Sequence, residues 1–86
     1  MNENYAYPLD YTWTTEEITI VFSFFKQVEN YYENKRDNQE FLKAYQKFKT
    51  VVPSKMQEKQ IGKEFEQNSG YSIYEALQSV KSVNNT

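Results

Sequence analysis

A chain of 86 residues has room for one domain and buries only about 60 to 65 per cent of the surface its unfolded form exposes, so its core needs large side chains; eight Tyr, six Phe and one Trp supply them. Cysteine and histidine are both absent, which excludes disulfides, thiolate or imidazole metal sites, thiol nucleophiles and imidazole acid-base chemistry. The net charge is only −2, the longest apolar stretch (Ile20 to Phe25, broken by Ser23) falls far short of the roughly 20 residues of a membrane span, and the start MNENYAYPLD lacks the blocks of a secretory signal, so a cytoplasmic chain without membrane attachment is expected.

The first thirteen residues have no helical period yet carry Tyr5, Tyr7, Leu9, Tyr11 and Trp13, and Pro8 favours an extended path. This aromatic arm is expected to lie across the first helix, with an aromatic partner-binding surface as the alternative. A helix-start signature then appears four times, a capping residue with Glu or Gln three positions on. Thr14 with Glu17 opens a helix over about 15–33, and Trp13 with Ile18 forms a hydrophobic staple at its start. Ile18, Val21, Phe22, Phe25, Val28 and Tyr32 form its inner stripe. Ile20, Phe24 and Tyr31 widen the stripe to an arc of roughly 200 degrees, which implies packing on more than one side.

Asp37 with Glu40 opens the second helix, about 38–51, whose Phe41, Ala44, Tyr45 and Phe48 share a face; Pro53 ends it by forcing Val52 out of helical geometry. Ser54 with Gln57 opens the third, about 55–68, with a thin apolar face of Met56, Ile61 and Phe65 that predicts a peripheral position. Gly70 stands where a left-handed cap belongs, and Gly62 is read as a point of close helix packing. Ser72 with Glu75 opens the fourth, about 73–82, with a stripe of Ile73, Ala76, Leu77, Val80 and Val83 ahead of the polar tail 84–86. The expected fold is all-α: one domain over 1–86, a compact four-helix array with an extended aromatic N-terminal arm over 1–13.

Two stretches, YPLDYTWTTEE and VVPSKMQEKQIGKEFEQNSGYSIY, resemble in order and spacing the YktA-like family of small uncharacterised bacterial proteins, over about Tyr5 to Val80. The resemblance implies a compact helical array and carries no assigned activity or site residues.

Chemistry is sparse. Glu16 and Glu17 read as helix-dipole and capping residues, and Glu29 with Glu33 as a solvated face, because two carboxylates without a third ligand make a weak metal site. Ser23 and Lys26 match a Ser-x-x-Lys pattern whose companion motifs are missing. With only two glycines, a glycine-rich phosphate loop is excluded. No cofactor, metal or catalytic constellation is expected, and the enzyme reading is set aside.

Charge is more informative, because it is segregated. Residues 1–34 carry six acids and one Lys, while residues 35–63 carry eight basic residues and three acids. Lys55, Lys59 and Lys63 stand at i, i+4 and i+8 on the third helix, and Lys43 and Lys47 form a similar pair on the second. The leading expectation is a non-catalytic interaction module that binds a protein partner or a second copy of itself, with Ile20, Phe24 and Tyr31 as an apolar interface flank. The alternative is nucleic-acid or polyanion binding through the lysine row, against which stand the overall acidity and a lone arginine, Arg36.

Overall fold

The computed structural model describes residues 7–33 and 38–84. Four helices follow one another: α1 Thr15–Glu33, α2 Asn38–Val51, α3 Lys55–Ser69 and α4 Ile73–Asn84, with no strand among the described residues. The last helix runs two residues past its expected end, and Asn84 belongs to it rather than to a tail.

Local chemistry sets the boundaries. At α1 the capping box is reciprocal: the Glu17 amide donates to Thr14 Oγ1 at 3.1 Å and the Thr14 amide donates to Glu17 Oε1 at 3.0 Å. Ser54 Oγ accepts from the Gln57 amide at 3.2 Å and Ser72 Oγ from the Glu75 amide at 3.1 Å, which satisfies one orphan donor at the start of α3 and of α4. The Asp37 signature falls outside the described residues. Gly70 closes α3 at φ 85°, and its amide donates to the Glu66 carbonyl at 2.8 Å.

Neighbouring aromatics on α1 explain its wide apolar arc. Successive helix residues point about 100 degrees apart, so Phe24 and Phe25 serve different neighbours. Phe24 turns to α2, stacked on Phe48 at 4.7 Å between centroids and edge-on to Phe41 at 5.7 Å. Phe25 turns to α3, stacked on Phe65 at 4.7 Å. Val21, Val28, Val52, Ile61, Ile73, Ala76, Leu77 and Val80 complete the buried set, so α1 is the hub of the array.

This packing corrects the expected interface flank. Phe24 is fully buried, and Tyr31 is half-buried against the core, edge-on to Phe41; Ile20 is half-buried too. Phe24 and Tyr31 are covered by α2. Conversely, Phe22 (39 % exposed) and Tyr32 (37 %), expected on the inner stripe, lie at the surface. The third helix is less peripheral than its thin stripe suggests, because Phe65 is fully buried against Phe25, while Met56 points outward, 71 % exposed.

The described part of the N-terminal arm, residues 7–13, is part of the fold. Tyr7 lies edge-on to Phe22 at 5.1 Å and stacks on Phe25 at 5.5 Å and Phe65 at 6.2 Å, between α1 and α3. Its hydroxyl donates to Glu29 Oε2 at 2.8 Å. Pro8 is buried, and Leu9 and Trp13 pack against the core. A turn then leads into α1, with Asp10 Oδ1 accepting from the Thr12 amide and hydroxyl at 2.9 and 2.7 Å; the Thr12 hydroxyl, ahead of the amide, lowers the Asp10 carboxyl below its usual range. Tyr5 falls outside the described residues.

Two polar links tie helix ends together. Tyr45 donates to Glu58 Oε2 at 3.0 Å and Lys49 bridges Glu58 Oε1 at 2.6 Å, which joins α2 to α3. Tyr32 and Tyr71 stack at 4.8 Å, with Tyr32 donating to the Ser72 carbonyl and Tyr71 to Glu33 Oε2, which joins the end of α1 to the α3–α4 corner. Burial, then the Glu58 carboxylate, pushes the Tyr45 hydroxyl up to about 12, and the hydrogen bond to Glu33 does the same for Tyr71.

An unfolded tyrosine ionises near 10, so the folded state here favours the neutral phenol. The stabilisation from both groups is complete below about pH 10 and is lost as pH rises through about 12. The urea midpoint is therefore expected to fall across that window in the parent and to fall less in Tyr45→Phe/Tyr71→Phe. Equal slopes in the two proteins would count against this linkage.

Candidate functional site

The acidic positions singled out by sequence are structural. Glu17 completes the α1 cap; Glu29 is only 8 % exposed and is held by Tyr7 and by Lys26 at 3.3 Å; Glu33 accepts from Tyr71. Glu29 is thus not part of the solvated face its spacing suggests, whereas Glu33 is exposed as that reading expects. Lys26 of the Ser23–Lys26 pattern is committed to Glu29. Among the described residues no group of three or more acids, histidines or cysteines is placed to hold a metal ion.

The lysine row behaves differently. Lys55, Lys59 and Lys63 are exposed, as their spacing along one side of α3 requires, and line a groove of about 390 Å³ between α3 and α4. The far wall comes from one face of α4, where Tyr74, Leu77, Gln78 and Lys81 recur at helical intervals. Ile73, Leu77 and Gly62 contribute apolar lining, and Tyr74 stands 70 % exposed at the edge. Tyr45 and Glu58 also line the groove, with Glu58 already committed to Lys49 and Tyr45.

Lys81 is a residue that sequence reasoning missed. It lies four positions beyond Leu77 on the α4 stripe, but only the packing of α4 on α3 brings it to the lysine row. Among the described residues none of Lys55, Lys59, Lys63 and Lys81 makes an ion pair within 4.0 Å. One further carboxylate, Glu66, shares the groove. Lys43 and Lys47 are not brought to it: both are exposed on α2, and Lys43 makes a loose pair with Glu40 at 3.9 Å.

Gly62 requires a different explanation from close packing. A Cβ built there meets no atom within 4 Å, so no neighbour in the chain demands glycine. A glycine inside a helix costs about 0.8 to 1.0 kcal/mol relative to alanine. That cost falls at the middle of α3, in the wall of the groove between Lys59 and Lys63.

A second and more open depression runs between the arm and α3, lined by Pro8, Tyr11, Trp13, Gln57, Gln60 and Glu64 among others. Its charged lining residues are two acids, Asp10 and Glu64.

Capped helices around an aromatic hub, with one lysine-lined groove, define a small all-α domain whose distinguishing surface lies between its last two helices. The chain belongs to UPF0223, an uncharacterised protein family whose model matches residues 4–86. It is 60 % identical over 81 residues to a UPF0223 protein of Lactococcus lactis subsp. cremoris strain MG1363, covering 94 % of this chain and 87 % of the relative. It is 58 % identical over 82 residues to one of Streptococcus sanguinis strain SK36, covering 95 % and 89 %, and 53 % identical over 81 residues to one of Streptococcus pneumoniae strain CGSP14, covering 94 % and 88 %. These matches establish a small uncharacterised bacterial family at the level of UPF0223, not under the narrower YktA-like label. Among the described residues no helix is long and apolar enough to cross a membrane.

Proposed function

We propose that this protein is a non-catalytic, cytoplasmic interaction module that docks an acidic, amphipathic segment of a partner protein in the α3–α4 groove. The observation that carries this reading is the convergence of Lys55, Lys59, Lys63 and Lys81, none of them neutralised by an ion pair among the described residues, around apolar lining from Ile73 and Leu77. Exposed ion pairs contribute only about 0.2 to 1 kcal/mol each, so the lysines supply steering and register, while the exposed ring of Tyr74 at the groove edge adds the apolar contact area. A purely polyanionic ligand such as nucleic acid would leave that apolar surface unused, and the net charge of −2 opposes its approach.

Selection of random displayed peptides of about 16 residues, long enough for roughly four helical turns, tests the reading. Enrichment of sequences that combine Asp or Glu with apolar residues is expected. Their affinity, measured by fluorescence anisotropy, should fall by about fourfold to several hundredfold in Lys55→Gln/Lys59→Gln/Lys63→Gln/Lys81→Gln, with the melting temperature little changed. Selected peptides without acids, or undiminished binding by the quadruple variant, would refute it. Tight salt-sensitive binding of a dT20 or U20 oligonucleotide in place of peptides would establish the nucleic-acid reading instead. A dimer in light scattering that the quadruple variant abolishes would make a second copy the occupant.

A further inference from the structure

We infer that Gly62 is a specificity notch in this groove, kept free of a side chain so that a bulky apolar anchor of the docked acidic segment can reach the α3 backbone between Lys59 and Lys63. The inference rests on the docking function proposed above and adds to it which position selects the partner and for what chemistry.

Three observations converge on the position. Gly62 is the eighth of the fifteen residues of α3, far from either end, so no capping or turn geometry calls for glycine there. Its backbone is helical: among the described residues Gly70 is the glycine with positive φ, and Gly62 is not. A Cβ added to it would meet nothing within 4 Å, so the fold does not need the missing side chain either. Glycine at such a place is the residue that lets a ligand approach a backbone closely.

The surroundings state what approaches. Leu77 and Ile73 lie across the groove, Tyr74 offers an exposed ring at its edge, and the two nearest lysines flank the notch on its own helix. An aromatic or large aliphatic side chain seated there would be desolvated, while acids placed to either side of it meet Lys59 and Lys63. A central apolar anchor within a charged rim is the usual organisation of an interface hot spot.

The decisive variants are ones that improve the helix. Alanine and methionine are both better helix formers than glycine, so Gly62→Ala and Gly62→Met are each expected to raise the melting temperature, by about 4 to 8 °C for a full relief of the glycine cost in a domain of this size. A loss of binding in these variants is therefore not a loss of folding. Against the peptides selected on the parent protein, Gly62→Ala should weaken affinity by about threefold to tenfold and Gly62→Met, which fills the notch, by about thirtyfold or more. Poly-L-glutamate is the control probe: it engages the lysines by charge alone, and its salt-sensitive binding should be the same in the parent and in Gly62→Met. Selection repeated on Gly62→Met should return acidic peptides that have lost the bulky anchor.

Peptide binding that survives Gly62→Met but is abolished by the quadruple lysine variant would overturn the notch and leave the docking surface standing. Peptide binding indifferent to both would overturn the docking surface itself. Poly-L-glutamate binding that falls in Gly62→Met as far as peptide binding does would show a general disturbance of the groove and would also overturn the notch.

Discussion

Phe24→Ala is expected to cost about 3 to 5 kcal/mol, the range for truncating a fully buried aromatic, out of a total stability on the order of 4 to 13 kcal/mol for a domain of this length. The size of the effect follows from what the ring touches. It is fully buried, stacked on Phe48, edge-on to Phe41 and tilted against Tyr45 at 5.7 Å, so its removal takes away the main aromatic joint between α1 and α2. Aromatic pairs contribute about 0.5 to 1.5 kcal/mol beyond their buried area. Phe25→Ala should be comparably severe, because that ring makes the corresponding joint to α3 through Phe65. Urea denaturation followed by circular dichroism measures both. A Phe24→Ala protein within about 1 kcal/mol of the parent would return that side chain to the surface role its sequence position first suggested.

The contrast between Phe22 and Phe24 shows what the sequence could convey. Both fall within a 200-degree apolar arc, and the arc correctly implied that α1 packs on more than one side. Where the centre of that arc lies depends on the azimuth of α2 and of the arm, which the periodicity of α1 itself does not encode. Phe22 and Phe24 consequently exchanged roles. Boundaries were legible because their causes are local: Thr14, Ser54, Ser72 and Gly70 act on amides or carbonyls within four residues. The same division runs through the groove. Three of its lysines were legible as a row because one helix carries them all, whereas Lys81 joins them only through the packing of α4 on α3.

Gly62 departs from the close-packing expectation for a related reason. A sequence shows that a side chain is missing and not what occupies the space, and here the space is open. Glu29 follows the same rule. Its spacing to Glu33 describes a solvated face only until the arm, from more than twenty residues upstream, covers it with Tyr7.

That coverage makes Tyr7 the sharpest test of whether the arm belongs to the folding unit. Tyr7→Ala is expected to cost about 3 kcal/mol, at the lower end of the aromatic-truncation range because the residue is half-buried. It removes a ring that contacts Phe22, Phe25 and Phe65, together with the hydroxyl that donates to Glu29 at 2.8 Å. A merely adhering arm would cost about 0.5 kcal/mol or less, as surface substitutions do. Tyr7→Phe separates the two contributions, since it keeps the ring contacts and deletes the hydrogen bond to a carboxylate, for which a loss of about 1.5 kcal/mol, the low end for a charged partner, is expected. Combined with Glu29→Met, which removes the acceptor, in a double-mutant cycle, it should show a coupling of about 0.5 to 3 kcal/mol, because each partner's effect depends on the other being present. Lys26, which pairs with the same carboxylate at 3.3 Å, is left in place throughout, so the cycle isolates the tyrosine hydroxyl. Additive losses would mean that the arm is held by its rings alone, and a stable Tyr7→Ala protein would mean that α1 and α3 close against each other without it.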